Sequence, residues 1–162
     1  MSIDTRDMIE AIIRPVLRDM GMYSVAAEQL VAGTIAHESL MGAFLRQQGG
    51  PALGVAQMEP VTHDDIWDNY LKYHPELVSK LEVATWTDLG KVHPADLLVC
   101  NLKYAVAMCR IKYYRVSGAL PLAGDVQGLA GYWKQNYNTP LGRGVVNDFI
   151  ANYSKFVAPY YT

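Results

Sequence analysis

Pro94-Ala95-Asp96-Leu97-Leu98-Val99-Cys100-Asn101-Leu102-Lys103-Tyr104-Ala105-Val106-Ala107-Met108-Cys109-Arg110-Ile111 is the stretch on which the fold turns. At helical spacing Leu97, Leu98, Val99, Leu102, Ala105, Val106, Met108 and Ile111 leave almost no polar face. A helix that is apolar nearly all round is the one that other helices wrap around. Pro94 suits a first helical position, where its missing N–H costs nothing. The spacing therefore predicts one long central helix over 94–117.

The flanking segments repeat the helical period. Ile9, Ile12, Ile13, Val16, Leu17 and Met20 make a stripe over 4–20, with a kink expected at Pro15 and a stop at Gly21. Ser24 is placed to cap a helix running to about residue 40, with Ala27, Leu30, Val31, Thr34 and Ile35 inward. Thr62, with Asp65 three residues on, is placed to cap the next, whose stripe is Ile66, Trp67, Tyr70 and Leu71. A short helix is expected after Pro75, another from Asp125 to about 137 with Leu129, Ala130 and Trp133 inward, and a last one over 145–158. On these stripes Trp67 and Trp133 read as core. Residues 85–92 decide for neither helix nor strand. The expectation is a mainly α single domain over residues 1–162, six or seven helices around the central apolar one. At most a small β element is expected, from residues 53–58 in the glycine-rich loop.

That loop holds a charge-free run, Gln47–Met58, twelve residues with three glycines and a proline. Loops this long in a domain of this size are often functional. Elsewhere the composition excludes several classes. Of 162 residues, 51% are apolar and 19% charged, so the chain can bury a core. Fourteen Lys and Arg against sixteen Asp and Glu give a net charge of −2, which argues against binding a nucleic-acid backbone. No run is long enough to span a membrane. The first seven residues, charged early, do not read as a secretory signal, so synthesis in the cytoplasm is expected. Cys100 and Cys109, nine apart on one helix, would lie on opposite faces roughly 13 Å apart, too far for a disulfide, and read as small core residues. His37-Glu38 begins a zinc-helix pattern that fails at Met41, where a second histidine is needed; no metal or other cofactor is expected. Gly142-Arg143-Gly144 reads as a turn more readily than as an anion site.

Glu38 is the residue that needs explaining. It falls on the apolar stripe of its helix, near the C-terminus, just before the glycine-rich loop. Burial and the negative end of the helix both oppose ionisation and raise its pKa, as a general acid at neutral pH requires. On position alone, a buried glutamate tied to an arginine or to backbone donors explains it equally well.

Ala36-His37-Glu38-Ser39, followed by Gly54-Val55-Ala56-Gln57-Met58-Glu59-Pro60, resembles the lytic transglycosylase and goose-type lysozyme families. Asn101-Leu102 is similar to their third motif, and Tyr137-Asn138 ahead of Gly142 to their fourth. The four occur in the family order over about residues 30–157. The resemblance implies a lysozyme-like fold and cleavage of the β-1,4 bond between N-acetylmuramic acid and N-acetylglucosamine in peptidoglycan. It implies Glu38 as the catalytic acid and Ser39 as a group that helps hold Glu38 or the sugar. Gln57 would sit in the cleft wall with the Met58 backbone nearby. Tyr137 would hydrogen-bond and orient Glu38, and Asn138 would contact the sugar. Ala130-Gly131-Tyr132 leads into Trp133 where the family pattern has asparagine, so Tyr132 competes with Tyr137 for the equivalent place.

Mechanism turns on a second carboxylate. A transglycosylase needs one carboxyl, which protonates the leaving oxygen and then acts as base on the sugar's own C6 hydroxyl. An inverting hydrolase needs another to activate water, roughly 6.5–9.5 Å from the first. Glu59 is one candidate, and Asp64 and Asp65 are others, although charge at a helix N-terminus explains the two aspartates. The transglycosylase is the expectation. Its alternatives are a goose-type-like hydrolase using Glu59 and an inactive lysozyme-fold wall-binding component of a virion. The implied partners are peptidoglycan strands and other virion or tail proteins; a monomer is expected. A net charge of −2 gives no steering towards an anionic wall, which fits delivery by something larger, such as a bacteriophage virion.

Overall fold

Residues 1–90 and 93–162 are described by a computed structural model of the chain. In chain order the helices are α1 (residues 5–19), α2 (Val25–Ser39), α3 (Pro60–Asn69), α4 (Pro75–Thr85), α5 (Leu97–Cys100), α6 (Leu102–Tyr114), α7 (residues 126–138), α8 (Val146–Phe156) and α9 (Ala158–Tyr161). The molecule is mainly helical, and no strand occurs among the described residues. Residues 91 and 92, part of the undecided stretch 85–92, lie outside the described residues.

Local chemistry sets the helix ends. The Asp4 carboxylate accepts from the Arg6 and Asp7 N–H groups and opens α1. Pro15 is accommodated by a π-helical segment just upstream, Met8–Ile13, in which the Arg14 N–H reaches back five residues to the Ile9 carbonyl. The wider turn makes room where a proline ring crowds the preceding carbonyls. Gly21, at φ 68°, ends the helix as its N–H and that of Met22 return to the Arg18 and Leu17 carbonyls. Ser24 Oγ then accepts from Ala27 N–H at 3.0 Å and starts α2.

Two helices carry the core. From Ala27 to Ala36 every residue of α2 is buried. Gly33 is needed in its middle because a Cβ there would come within 2.6 Å of the Phe149 ring of α8. In α6, Tyr104 to Ile111 and Tyr113 are buried, and the helix packs against α1, α2, α3, α4, α5 and α7. The expected central helix is therefore present, but it is not continuous. Asn101 takes extended backbone angles (φ −131°, ψ 102°) and splits 94–117 into α5 and α6. Its Oδ1 accepts from the Tyr104 N–H, and its Nδ2 donates to the Thr85 carbonyl and Thr87 Oγ1. An asparagine that caps one helix and ties down the end of α4 outweighs the periodicity running through it. The break also separates the cysteines: Cys109 is buried as expected, whereas Cys100 is exposed.

Polar clusters join the elements. Arg14 makes a forked pair with Glu28, at 2.7 and 2.9 Å, and the Tyr161 hydroxyl donates to the same carboxylate. His63 Nε2 and Trp67 Nε1 both meet the Tyr104 hydroxyl, at 2.7 and 2.8 Å, locking α3 to α6. Trp67 is core, as its stripe predicted. The start of α3 differs from expectation. Pro60 is its first residue and Glu59 occupies the cap position, with the Thr62 and His63 N–H groups on the Glu59 carbonyl. A proline at the first helical position wins over a threonine cap two residues later.

Candidate active site

The chain reverses immediately after Glu38. Leu40, Met41 and Gly42 have φ of 52°, 57° and 75°, three successive left-handed residues. Ser39 Oγ, buried, donates to the Ile35 carbonyl and accepts from the Gly42 N–H at 2.9 Å. Its hydroxyl thus holds the turn that leaves α2, and the expected contact with Glu38 or a ligand is not its role. In the loop beyond, Leu53 and Met58 exchange both backbone hydrogen bonds, at 2.9 and 3.0 Å. Isolated bridges also pair Leu53 with Arg46, the small extended element foreseen at 53–58. Gly54, at φ 78°, passes so close to the Leu98 carbonyl that no Cβ fits. Gln57 follows at φ 48° and donates its side-chain amide to the Gly54 carbonyl at 2.8 Å.

Glu38 opens into a cleft of about 710 Å³. The loop contributes Phe44, Gln47, Gln57, Met58 and Glu59; α6 contributes Lys112; the end of α7 and the turn after it contribute Tyr137, Asn138, Thr139 and Gly142. Amides and hydroxyls dominate, and Phe44 adds a half-exposed aromatic ring. The Glu38 carboxyl accepts from Trp133 Nε1 at 2.9 Å, and the His37 ring packs edge-on against Trp133 at 4.5 Å. Burial pushes the Glu38 pKa up to about 7, opposed by the Trp133 N–H and the Lys112 charge, both of which favour the carboxylate. An indole N–H only donates. The oxygen it touches, Oε1, therefore accepts, which leaves Oε2 free of that donor.

Other expected site residues stand differently. Tyr137 lines the cleft, but its hydroxyl donates to the Ala56 carbonyl at 2.7 Å, so the group that orients Glu38 is Trp133. Tyr137 instead ties the cleft end of α7 to the loop. Tyr132 packs its ring on Tyr113 and does not line the cleft. Asn138 lines it, with Oδ1 held by Lys134 Nζ, which also donates to the Gly142 carbonyl. Glu59 is exposed on the cleft. Asp65 is occupied by Arg115 at 2.7 Å and by Asn69, which together hold its pKa below the usual range, and Asp64 meets His63. Neither aspartate lines the cleft.

The sequence reading missed Trp133 as a site residue, having placed it in the core, and missed Lys112 entirely. Trp133 is indeed fully buried, and its polar edge nonetheless reaches Glu38. Lys112 Nζ donates to the Tyr137 carbonyl at 2.7 Å and lies 3.9 Å from the Tyr137 ring centroid. A lysine among so many apolar neighbours was the available signal.

No family model, no curated protein and no solved structure matches this chain. A carboxyl whose pKa burial raises to about 7, fixed by one donor and facing a cleft of amides and hydroxyls, is equipped to protonate a hydroxyl-rich ligand. Among the described residues no helix is long and apolar enough to cross a membrane.

Proposed function

We propose that this protein is a peptidoglycan-cleaving enzyme of lysozyme-like fold, a lytic transglycosylase in which Glu38 is the general acid and base. One observation carries the reading: a glutamate whose pKa burial raises to about 7, oriented by the Trp133 N–H and lining a cleft rich in amides. Three of the four sequence motifs add support, because Glu38, Gln57, Met58, Tyr137 and Asn138 line one cleft although up to a hundred residues separate them, whereas Asn101 of the remaining motif caps α6 away from it.

In this reaction the Oε2 proton of Glu38 passes to the glycosidic oxygen as the bond from C1 to that oxygen breaks. The carboxylate then takes the proton of the C6 hydroxyl while O6 bonds to C1. A 1,6-anhydro sugar forms, and Glu38 is protonated again. Gln57 and Asn138 supply amides for the sugar's hydroxyl and acetamido groups, and Phe44 supplies an apolar ring for a sugar face.

Glu59 on the same cleft favours a second reading, a hydrolase in which that carboxylate activates water. The deciding experiment is digestion of purified peptidoglycan by wild type, Glu38→Gln and Glu59→Gln, with mass spectrometry of the products. The transglycosylase predicts anhydro ends, one water lighter, from wild type and Glu59→Gln and nothing from Glu38→Gln. Reducing ends that vanish in Glu59→Gln identify the hydrolase. Wild type that behaves like Glu38→Gln removes the enzyme and leaves a wall-binding protein. Delivery by a bacteriophage particle, also proposed, is tested by looking for the protein in purified virions.

A further inference from the structure

Lys112 lies in the cleft yet takes no part in the proton transfers above. Its position is fixed. The stem rises from α6, the ammonium donates to the Tyr137 carbonyl at 2.7 Å, and the Tyr137 ring lies beneath it at 3.9 Å. An ammonium has three donors. Holding the Tyr137 carbonyl accounts for one. Among the described residues no ion pair joins Lys112 to Glu38, to Glu59 or to any other carboxylate. Burial lowers its pKa, opposed in part by the charges of Glu38 and Glu59 on the same cleft.

Apart from Glu38 and Glu59, neither within ion-pair distance of Lys112, much of the rest of the ligand-facing surface is neutral. Gln47, Gln57, Thr62 and Asn138 already offer neutral donors and acceptors suited to sugar hydroxyls and acetamido groups. A partly desolvated ammonium that keeps a donor beyond the Tyr137 carbonyl and ring calls for an anionic acceptor, and a charge-assisted hydrogen bond there is about twice as strong as a neutral one. The anion a muramic-acid glycan can bring on the sugar itself is the carboxylate of its lactyl ether. That group is charged only where no peptide stem is attached, because the stem converts it to an amide.

We propose that Lys112 binds a free lactyl carboxylate, so that the cleft prefers muramyl glycan from which the peptide stems have been removed. The inference rests on the glycan-cleaving reading of Glu38, and its test is arranged to fail separately. Two alternating N-acetylglucosamine–N-acetylmuramic acid tetrasaccharides are compared, one with free lactyl carboxylates and one with the same groups as methyl amides. Binding to the Glu38→Gln protein is measured by titration calorimetry, so that turnover is not required. The acid is expected to bind about tenfold tighter than the amide, the effect of one charge-assisted hydrogen bond. Adding Lys112→Gln should erase the difference, and adding Lys112→Arg, which keeps the charge, should retain most of it. Equal binding of the two glycans, a preference that survives Lys112→Gln, or no binding of either overturns the proposal. The first and last of these need no Lys112 variant to fold. Cleavage of the acid tetrasaccharide by wild type is scored independently. A binding preference without cleavage leaves the Lys112 subsite standing and removes the enzyme.

Discussion

The Trp133 Nε1–H donates to Glu38 Oε1 across 2.9 Å, and the indole that donates it is fully buried. The candidate acid is thereby oriented from the core, by a side chain locked between His37 and Phe149. A donor that cannot move holds the carboxyl in one orientation before any ligand arrives.

Trp133→Phe keeps the ring packing and removes the donor. The lost bond favoured the carboxylate, so the Glu38 pKa should rise further above about 7. Activity needs the protonated acid at the outset and falls as pH rises through that pKa. The high-pH limb of kcat/KM should therefore move up by about one pH unit. With the orientation loosened, kcat should fall about tenfold. A pH profile of glycan cleavage reads both; an unmoved limb argues against the role given to Trp133.

Stability should depend on pH through Glu38. Its native pKa, about 7, lies above the ordinary 4.5, so between those values the native state keeps a proton that the unfolded chain has lost. Stability is then fullest below pH 4.5, declines as pH rises to 7 and levels off beyond it. Glu38→Gln has no proton to lose. It should exceed wild type by about 3 kcal/mol at pH 8 and match it near pH 4. Urea denaturation at the two pH values measures the difference.

Gly49 and Gly54 separate backbone cost from collision. Both have positive φ, 71° and 78°, but a Cβ at Gly49 meets nothing within 4 Å, whereas one at Gly54 runs into the Leu98 carbonyl. Gly49→Ala should cost about 1 kcal/mol, the left-handed penalty alone. Gly54→Ala should cost at least about 3 kcal/mol and displace Gln57, whose amide is held by the Gly54 carbonyl. Thermal unfolding of the two variants gives the comparison.

Tyr104→Phe removes one oxygen and leaves two buried groups, His63 Nε2 and Trp67 Nε1, without the partner they share. The expected loss is about 3 kcal/mol, as for two unsatisfied buried polar atoms. Tyr104 does not line the cleft, so the folded fraction should keep its activity. A loss of kcat without a loss of stability would contradict this account.

Much of the fold was legible because burial leaves a period in the sequence. Ser24, Gly21 and Asp125 marked helix ends correctly, since each acts on its immediate neighbours. Asn101 did not stand out, because the apolar period runs through it and its partners Thr85 and Thr87 lie far back along the chain. Glu38 stood out as a carboxylate on an apolar stripe. Trp133 could not, because a stripe reports that a ring is inside and is silent on where its N–H points. The same holds for Tyr137, which lines the cleft while its hydroxyl donates to the Ala56 carbonyl and not to Glu38.

The π-helical segment Lys134–Asn138 sets the register of the cleft. A π turn is an α turn with one residue more. Deleting a single residue between Trp133 and Tyr137 lets the segment close to an α turn and keeps the residues beyond it on nearly the same face, whereas the same deletion in regular α-helix swings everything beyond it by about 100°. The π segment is therefore the one stretch of α7 that can lose a residue while Trp133 stays on Glu38 and Tyr137 and Asn138 stay at the cleft.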